Sequence, residues 1–552
     1  DADAWLKALK IELDGLDEMG VISHNHRISD LRKAGVNQTP VPMKLLFDCK
    51  YHPDGTLDKL KVRNVVSGTK HHMKVGEHFW ESFSASPNIA TTRLLQAICV
   101  GRGWFRLAFD IRQAYIQADC PKEEQIPVRY PVGMRRYDSE TGEELYGKLI
   151  KSLYGSPPAG RNWSKLRTTW TLETFNDHEW TVKKLRADPC LFDFRHNSSG
   201  RQSVLLVHTD DCDLIGESKA DLTLIAQKFD ERFGIKIVDE DYMLGVKRTV
   251  TTGADGVRSV ELTQTDYVET LFKEFEHHFT SPKVPETPFP ETMFLSLAHP
   301  DGTIRATEVS ESKSVLKLGY QSLVGSLLWA CRNCYPELGC GVNLLCRMMS
   351  RPTIEAWECG LHVLHYLYGQ RHRGIRFRSD GNDVPICYYD SSARGDYADS
   401  KSQYGHVVML FNGPIMWSSK KHTHVGLSSS HNEYMALKHA CVDVVWLRQL
   451  LKELAFDEMV SSPTVVLGDN DQATRLSRED IVTPGNRYIR ADYHFAKECV
   501  ELGDVCSRRV STAENISDVL TKPLSRQYIS RLRPMLTGYG ESLPAPPPAP
   551  RG

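Results

Sequence analysis

The chain has 552 residues, room for about three to five domains of ordinary size, which excludes one small module. Hydrophobic residues make up 41% and charged residues 25%, a globular balance that excludes a disordered chain. Lys+Arg number 68 against 70 Asp+Glu; the net charge of -2 excludes a bulk polycation that coats nucleic acid, but not an enzyme with local basic patches.

In chain order, residues 4–19 read as an amphipathic helix, with Trp5, Leu6, Leu9, Ile11, Leu13 and Leu16 among charges. Residues 43–67 read as two strands around a His52-Pro53-Asp54-Gly55 turn. A helix is expected over 88–101, a strand over 104–111 with Asp110 at its end, and a helix over 164–175. Residues 204–216 suit a hairpin turning at 208–211. Pro282, Pro285, Pro288, Pro290 and Pro300 mark a connecting segment, 315–370 is helical in pattern, and a strand-rich block begins near Val384. Residues 543–552, mostly Pro and Ala, read as a disordered tail. No internal repeat is visible. The longest apolar stretches, 204–207 and 324–330, fall far short of the ~20 residues of a membrane helix. The start has neither a signal-peptide shape nor an initiator Met, and is expected to be part of a longer product. The 14 Cys show no paired framework, which fits a reducing compartment; the close pair Cys331 and Cys334 reads as helix packing rather than a metal site.

Two features of the first block carry chemistry. One is Asp110, in Phe109-Asp110-Ile111-Arg112-Gln113-Ala114-Tyr115; the other is Asp210-Asp211, flanked by apolar residues. An Asp pair at a turn is often turn chemistry alone. Three converging carboxylates, however, can hold two Mg2+ ions that activate a 3'-hydroxyl and steady a leaving pyrophosphate. Two acid-free basic runs lie nearby: Lys59, Lys61, Arg63, Lys70 and Lys74, then Lys148, Lys151, Arg161, Lys165 and Arg167. Such runs suit triphosphate or nucleic-acid contacts, or simply a solvated face.

Lys61-Val62-Arg63-Asn64-Val65-Val66-Ser67-Gly68, Phe109 to Asp119, Lys148 to Trp163, Asp188-Pro189-Cys190-Leu191-Phe192 and Thr209-Asp210-Asp211 occur in an order that resembles the reverse transcriptase of copia-type LTR retrotransposon Pol polyproteins. The resemblance continues through Met243-Leu244-Gly245-Val246, Leu262-Thr263-Gln264, residues 320–328 and residues 350–367. It implies that Asp110, Asp210 and Asp211 hold the polymerase metals and that Lys61 and Arg63 meet the triphosphate. Tyr115 would lie under the incoming sugar and exclude a 2'-hydroxyl, and Met243 and Gly245 would lie near the primer terminus. Two positions depart from the family. His208 stands where an aromatic residue usually precedes the Asp pair, as a nucleic-acid contact that can still stack. Pro158 stands where a Gln is usual, with loss of one nucleotide contact.

In the last block, Asp390 ends a 386–389 strand, Glu433 is expected in the first turn of a helix capped by Ser428 to Ser430, Asp469 follows a 464–468 strand, and Asp518 lies in Ile516-Ser517-Asp518-Val519-Leu520-Thr521-Lys522-Pro523. Four acids on separate elements can converge on two divalent ions suited to in-line attack of water on a phosphodiester. With Gly405, Lys420, Lys421, Trp446 and the run 518–524, the set resembles the RNase H domain of the same elements. Residues 511–515 lack the His that some cellular enzymes carry there, and His494 reads as helix packing. Acids outnumber bases in this block, so Lys420 and Lys421 are the expected hybrid contacts.

The expected architecture is a multidomain α+β and α/β chain. It comprises a right-hand polymerase (fingers, palm, thumb), a helical connection and a C-terminal RNase H-like α/β domain. The boundaries are fingers and palm 1–261, thumb and connection 262–380, RNase H-like domain 381–525 and a Pro-rich tail 526–552. The resemblance implies a reverse transcriptase that extends a DNA primer on an RNA template from dNTPs and degrades the RNA of RNA–DNA hybrids. It also implies Mg2+, two ions per site, with Mn2+ as the alternative; an upstream integrase as neighbour; no membrane; and a cytoplasmic site in a virus-like particle, or a nuclear one. The competing reading is a decayed or co-opted copy that binds nucleic acid without catalysis. His208 and Pro158 favour it, and the presence of all seven acids opposes it.

Overall fold

The computed structural model describes residues 2–51, 56–238, 241–279, 281–290, 309–392, 401–423, 425–426, 428–478 and 494–540. The turn at 52–55, Pro300 and the 543–552 tail lie outside them. The chain is a mixture of helices and four separate sheets that divides into two compact units. The first comprises residues 1–87, 106–184 and 189–238; the second comprises 88–105, 185–188 and 239–552. No described helix is long and apolar enough to cross a membrane.

The first unit holds two sheets. One runs in the order Ile22–His26, Glu144–Leu149, Pro127–Arg129, Val41–Tyr51, Leu57–Val66, with Arg136–Tyr137 added on Glu144–Leu149. The other runs Ile235–Ile237, Phe105–Ile111, Asp211–Gly216, Gln202–His208, Leu191–His196, Trp180–Lys184. Alternation along its strands separates two faces. Phe109, Ile111, Leu205, Val207 and Leu214 pack with Trp163 and Phe175 of the helix Ala159–Phe175 and with Phe229 and Phe233 of the helix Lys219–Phe233.

By the same period, Arg106 and Asp110 share a face, as do Asp211 and Asp213. On that face Arg106 Nε donates to Asp213 Oδ1 at 2.6 Å, with side chains 1% and 0% exposed. The pair cross-ties the two strands that carry Asp110 and Asp211.

In the second unit, Tyr242–Met243, Val246–Thr252, Arg258–Thr263 and Ile375–Arg378 form a four-stranded sheet, with helices Thr265–Phe275, Val309–Lys317, Tyr320–Asn333, Gly339–Arg347 and Ile354–Gln370 between its last two strands. The expected helical stretch is thus four helices separated by short breaks. Cys331 and Cys334 are both buried at the end of Tyr320–Asn333, as helix packing requires. The C-terminal sheet runs Gly413–Lys421, Gln403–Leu410, Ile386–Ser392, Thr464–Gly468, Val505–Arg509. Its first three strands pair antiparallel and its last two pair parallel. The helix Ser429–Glu453 makes the connection to Thr464–Gly468.

The expected tail from 526 is corrected in part. Arg526–Thr537 is a helix whose Ile529, Leu532 and Leu536 complete the core under Ile386, Tyr388 and Val407. Its Arg533 Nε lies 2.7 Å from the buried Glu337 carboxylate. The sequence hides this helix because Pro534 lies inside it and its buried apolar residues are few.

Removing one partner of a buried ion pair leaves an uncompensated charge, at a cost of about 3–5 kcal/mol. Arg106→Met is expected to destabilise the protein by about that amount in urea unfolding, and adding Asp213→Leu to recover most of the loss. Equal midpoints for wild type and Arg106→Met would rule the cross-tie out.

Candidate active sites

In the first unit, Asp110 is the sixth residue of Phe105–Ile111 and lies opposite Lys236. Asp210 sits in a two-residue turn, because His208 already pairs with Asp211; the expected four-residue turn is shortened by one residue on each side. Thr209 carries the turn at φ +61, a conformation unfavourable for a β-branched residue. Its carbonyl is held by Trp163 Nε1 at 2.7 Å and by Arg167 at 3.2 Å. The Asp210 carbonyl in turn accepts the Ile111 N–H at 2.9 Å, which fixes the pair to the Asp110 strand.

Burial, then the Asp210 charge, raises the Asp110 carboxyl pKa, while Lys236 and Lys61 oppose the rise. Asp211 is raised by burial and by both other acids, and lowered by His208. His208 is therefore an electrostatic neighbour of Asp211. Tyr115 packs against the helix-covered core, with its ring 6.0 Å from that of Tyr154. Tyr154 is pushed up to about 12 by burial, with Glu12, Arg63, Asp210 and Tyr115 all acting on it.

Pro158 is the residue before the helix Ala159–Phe175, and its carbonyl accepts the Asn162 N–H at 3.0 Å. A helix start needs no N–H there, so the substitution leaves the backbone intact. The second basic run is corrected in part: Arg161 lies 2.6 Å from Glu124, and Arg167 is buried under the turn. Two of its five cations are therefore structural.

In the second unit, Asp390 lies inside the strand Ile386–Ser392, opposite Gly405, rather than at its end. A Cβ at Gly405 would stand 2.6 Å from Leu520 Cβ, so glycine lets the turn Ile516–Leu520 rest directly on the sheet and bring in Asp518. Asn515 caps that turn and donates to the Tyr389 carbonyl at 3.0 Å, next to Asp390. Glu433 lies just past the first turn of Ser429–Glu453, where Ser428 accepts the His431 N–H at 3.1 Å.

Asp390, Asp469 and Asp518 each turn one oxygen into a common space, all within 4.8 Å of one another. Among the described residues this is the one acid, Cys or His group drawn that close; Asp110, Asp210 and Asp211 are more open. Glu433 Oε1 accepts the Ser391 N–H at 3.2 Å, while its Oε2 is buried without a hydrogen-bond partner. A buried, partnerless carboxylate oxygen beside three converging acids fits a divalent cation.

Lys522 Nζ lies 3.0 Å from Asp518 and 3.8 Å from Asp390, and Thr521 donates to Asp390. Burial raises Asp390, Glu433 and Asp518, the last to about 7. Burial alone would lower Lys522, but Asp390 and Asp518 raise it. Lys522 thus supplies positive charge that the sequence reading overlooked. Its position four residues after Asp518 was the available signal.

Lys420 is exposed and Lys421 half-buried at the end of Gly413–Lys421. Met243 pairs with Val246 across a turn in which Leu244 (φ +49) and Gly245 (φ +75) are both left-handed. Lys61 and Arg63 lie half-buried on Leu57–Val66. His494 is exposed ahead of the helix Phe495–Glu501, which corrects its expected packing role.

Residues 26–289 match the family model described as reverse transcriptase (RNA-dependent DNA polymerase). The chain is 27% identical over 526 residues to the retrovirus-related Pol polyprotein from transposon TNT 1-94 of Nicotiana tabacum, covering 94% of this chain and 37% of that one. It is 28% identical over 529 residues to the retrovirus-related Pol polyprotein from transposon RE2 of Arabidopsis thaliana, covering 95% and 33%. It thus spans about a third of these relatives' length. Among solved structures, a foamy viral protease-reverse transcriptase in complex with double-stranded DNA aligns with 88% of this chain and 68% of that one, at 14% identity and a TM-score of 0.45.

Folded Asp518 keeps its proton to about pH 7, whereas an unfolded aspartate loses it near pH ~4. Without metal, its contribution to stability is therefore full below about pH 4 and is lost as pH rises towards about 7. Asp518→Asn is expected to flatten that decline in thermal unfolding with a chelator present. Parallel curves for the two proteins would refute the assignment.

Proposed function

We propose, from its similarity to copia-type retrotransposon Pol polyproteins, that the chain is an RNA-directed DNA polymerase with a ribonuclease H domain. Fingers and palm fall within residues 1–261, thumb and connection within 262–380, and the RNase H-like domain from 381 onwards, with the helix Arg526–Thr537 as part of it. The substrates are a DNA primer on an RNA template and dNTPs, then the RNA strand of the resulting hybrid. The observation that carries this reading is the survival of both carboxylate sets on separate sheets, each with its own source of compensating charge.

In the palm, Asp110, Asp210 and Asp211 would hold divalent metal, and in the RNase H domain Asp390, Glu433, Asp469 and Asp518 would do so. Bound there, Mg2+, with Mn2+ as the alternative, would supply activation of the attacking oxygen and charge stabilisation of the leaving one. The chain's own residues do the positioning. Trp163 and Arg167 hold the turn that aims Asp210 and Asp211. Lys61 and Arg63 take the triphosphate by charge. Tyr115, held by the core behind it, excludes the 2'-hydroxyl of a ribonucleotide by bulk. Met243 and Gly245 contact the primer strand, His208 the nucleic acid beside the Asp pair, and Lys420 and Lys421 the hybrid backbone.

Primer extension on an RNA template with Mg2+ tests the polymerase half. Asp210→Asn is expected to abolish extension and leave hybrid cleavage intact, and Glu433→Gln to do the reverse. A wild-type chain that binds primer–template but neither extends nor cleaves would establish the co-opted copy instead.

A further inference from the structure

We propose that Glu12, on the N-terminal helix Ala2–Glu18, is a placeholder for the nucleotide's triphosphate: its carboxylate occupies the field of Lys61 and Arg63 and sets how tightly a dNTP binds. The inference rests on the reading that Lys61 and Arg63 take the triphosphate.

Leu57–Val66 is the edge strand of its sheet, so its outward N–H groups need partners from outside the sheet. Val66 N–H donates to the Tyr154 carbonyl at 2.8 Å. Asn64 N–H donates to Glu12 Oε1 at 2.9 Å, across 52 residues of sequence. The helix that delivers this acid is fixed along its length. Trp5 meets Phe47 edge-on at 5.3 Å, and Leu16 is buried with Val66 and Ile116. Gly15 passes so close to Gln113 that a Cβ would stand 3.1 Å from its Nε2. The helix therefore reaches from the edge strand to the turn that follows Asp110 and carries Tyr115.

Tyr154, whose ring lies 6.0 Å from that of Tyr115, is raised by burial and is also acted on by Glu12, Arg63 and Asp210. Burial raises the Glu12 carboxyl pKa and the Asn64 N–H, Lys61 and Arg63 oppose the rise; the same two cations also act on Asp48, the cross-strand partner of Lys61. A half-buried carboxylate anchored beside two cations presents them with the same chemistry as a phosphate oxygen. A polyanion entering this space must displace Glu12 or share the cations with it. Glu12 lowers affinity for the triphosphate while keeping the two cations compensated in its absence.

Glu12→Gln keeps an oxygen for the Asn64 N–H and removes the charge. It is expected to lower KM for dNTP by up to about fivefold, the upper end of what an exposed ion pair contributes, without a matching change in kcat. Inorganic tripolyphosphate, titrated calorimetrically against the full chain, is expected to bind tighter by a similar factor. Glu12→Ala, which also drops the hydrogen bond, should shift binding in the same direction. Arg63→Ala is the control and should weaken tripolyphosphate binding. If Arg63→Ala weakens binding while both Glu12 variants leave it unchanged or weaker, the placeholder is wrong and the triphosphate reading stands. If Arg63→Ala has no effect, the triphosphate reading falls, and the placeholder with it.

Discussion

Carboxylates gathered away from water repel one another and lose hydration, and much of the positioning around both candidate sites answers that cost. In the C-terminal sheet the answer is local. Lys522 lies against Asp518 and Asp390, Thr521 donates to Asp390, and the Ser391 N–H is spent on Glu433. In the first unit the acids are more open, and the answer is spread out: Lys236 and Lys61 act on Asp110, and His208 acts on Asp211. The buried Arg106–Asp213 pair has a different task. It holds no reacting atom, but it keeps two acid-bearing strands together against the repulsion at their ends.

Backbone strain enters at the same places. Thr209 at φ +61 and Leu244 at φ +49 are poor choices for left-handed turns, where Asn or Gly would relax the chain. Thr209 persists because Trp163 and Arg167 both grip its carbonyl from the neighbouring helix. That grip explains why an arginine from an apparently solvated basic run is buried. Gly405 is the opposite case: its lack of a side chain lets the Asp518 turn touch the strand that pairs with Asp390.

Much of this was legible in the sequence, for a physical reason. Strands such as Gln202–His208 and Thr464–Gly468 are short apolar runs with acids at or just beyond their ends, and that contrast survives in one dimension. Asp110, Asp210, Asp211, Asp390 and Asp469 lie in or beside such runs; Glu433, in a helix, and Asp518, in a helical turn, were legible only through the family resemblance. What the sequence concealed is pairing across distance. Arg161 looks like a free cation until Glu124 is folded against it, and the run around Lys61 looks acid-free until Asp48, across the hairpin, and Glu12, from the N-terminal helix, are brought to it. The helix Arg526–Thr537 was hidden differently: its buried Ile529, Leu532 and Leu536 are too few to stand out until Tyr388 and Val407 supply the other half of the core.

The near balance of 68 bases and 70 acids therefore bears on local compensation more than on partners. Part of the positive charge is consumed internally: Arg106, Arg161, Arg167 and Arg533 are buried or paired in the fold and can contribute little to a nucleic-acid field. Part of the negative charge is concentrated in the two carboxylate sets, where bound cations would cancel it. A polyanionic ligand would then respond to the smaller set of cations left near the surface. Lys420 is the clearest of these in the C-terminal sheet, because it is exposed at a strand end. Lys61 and Arg63 differ from it in kind, since both already act on a carboxylate of the chain, and a phosphate reaching them would compete with it.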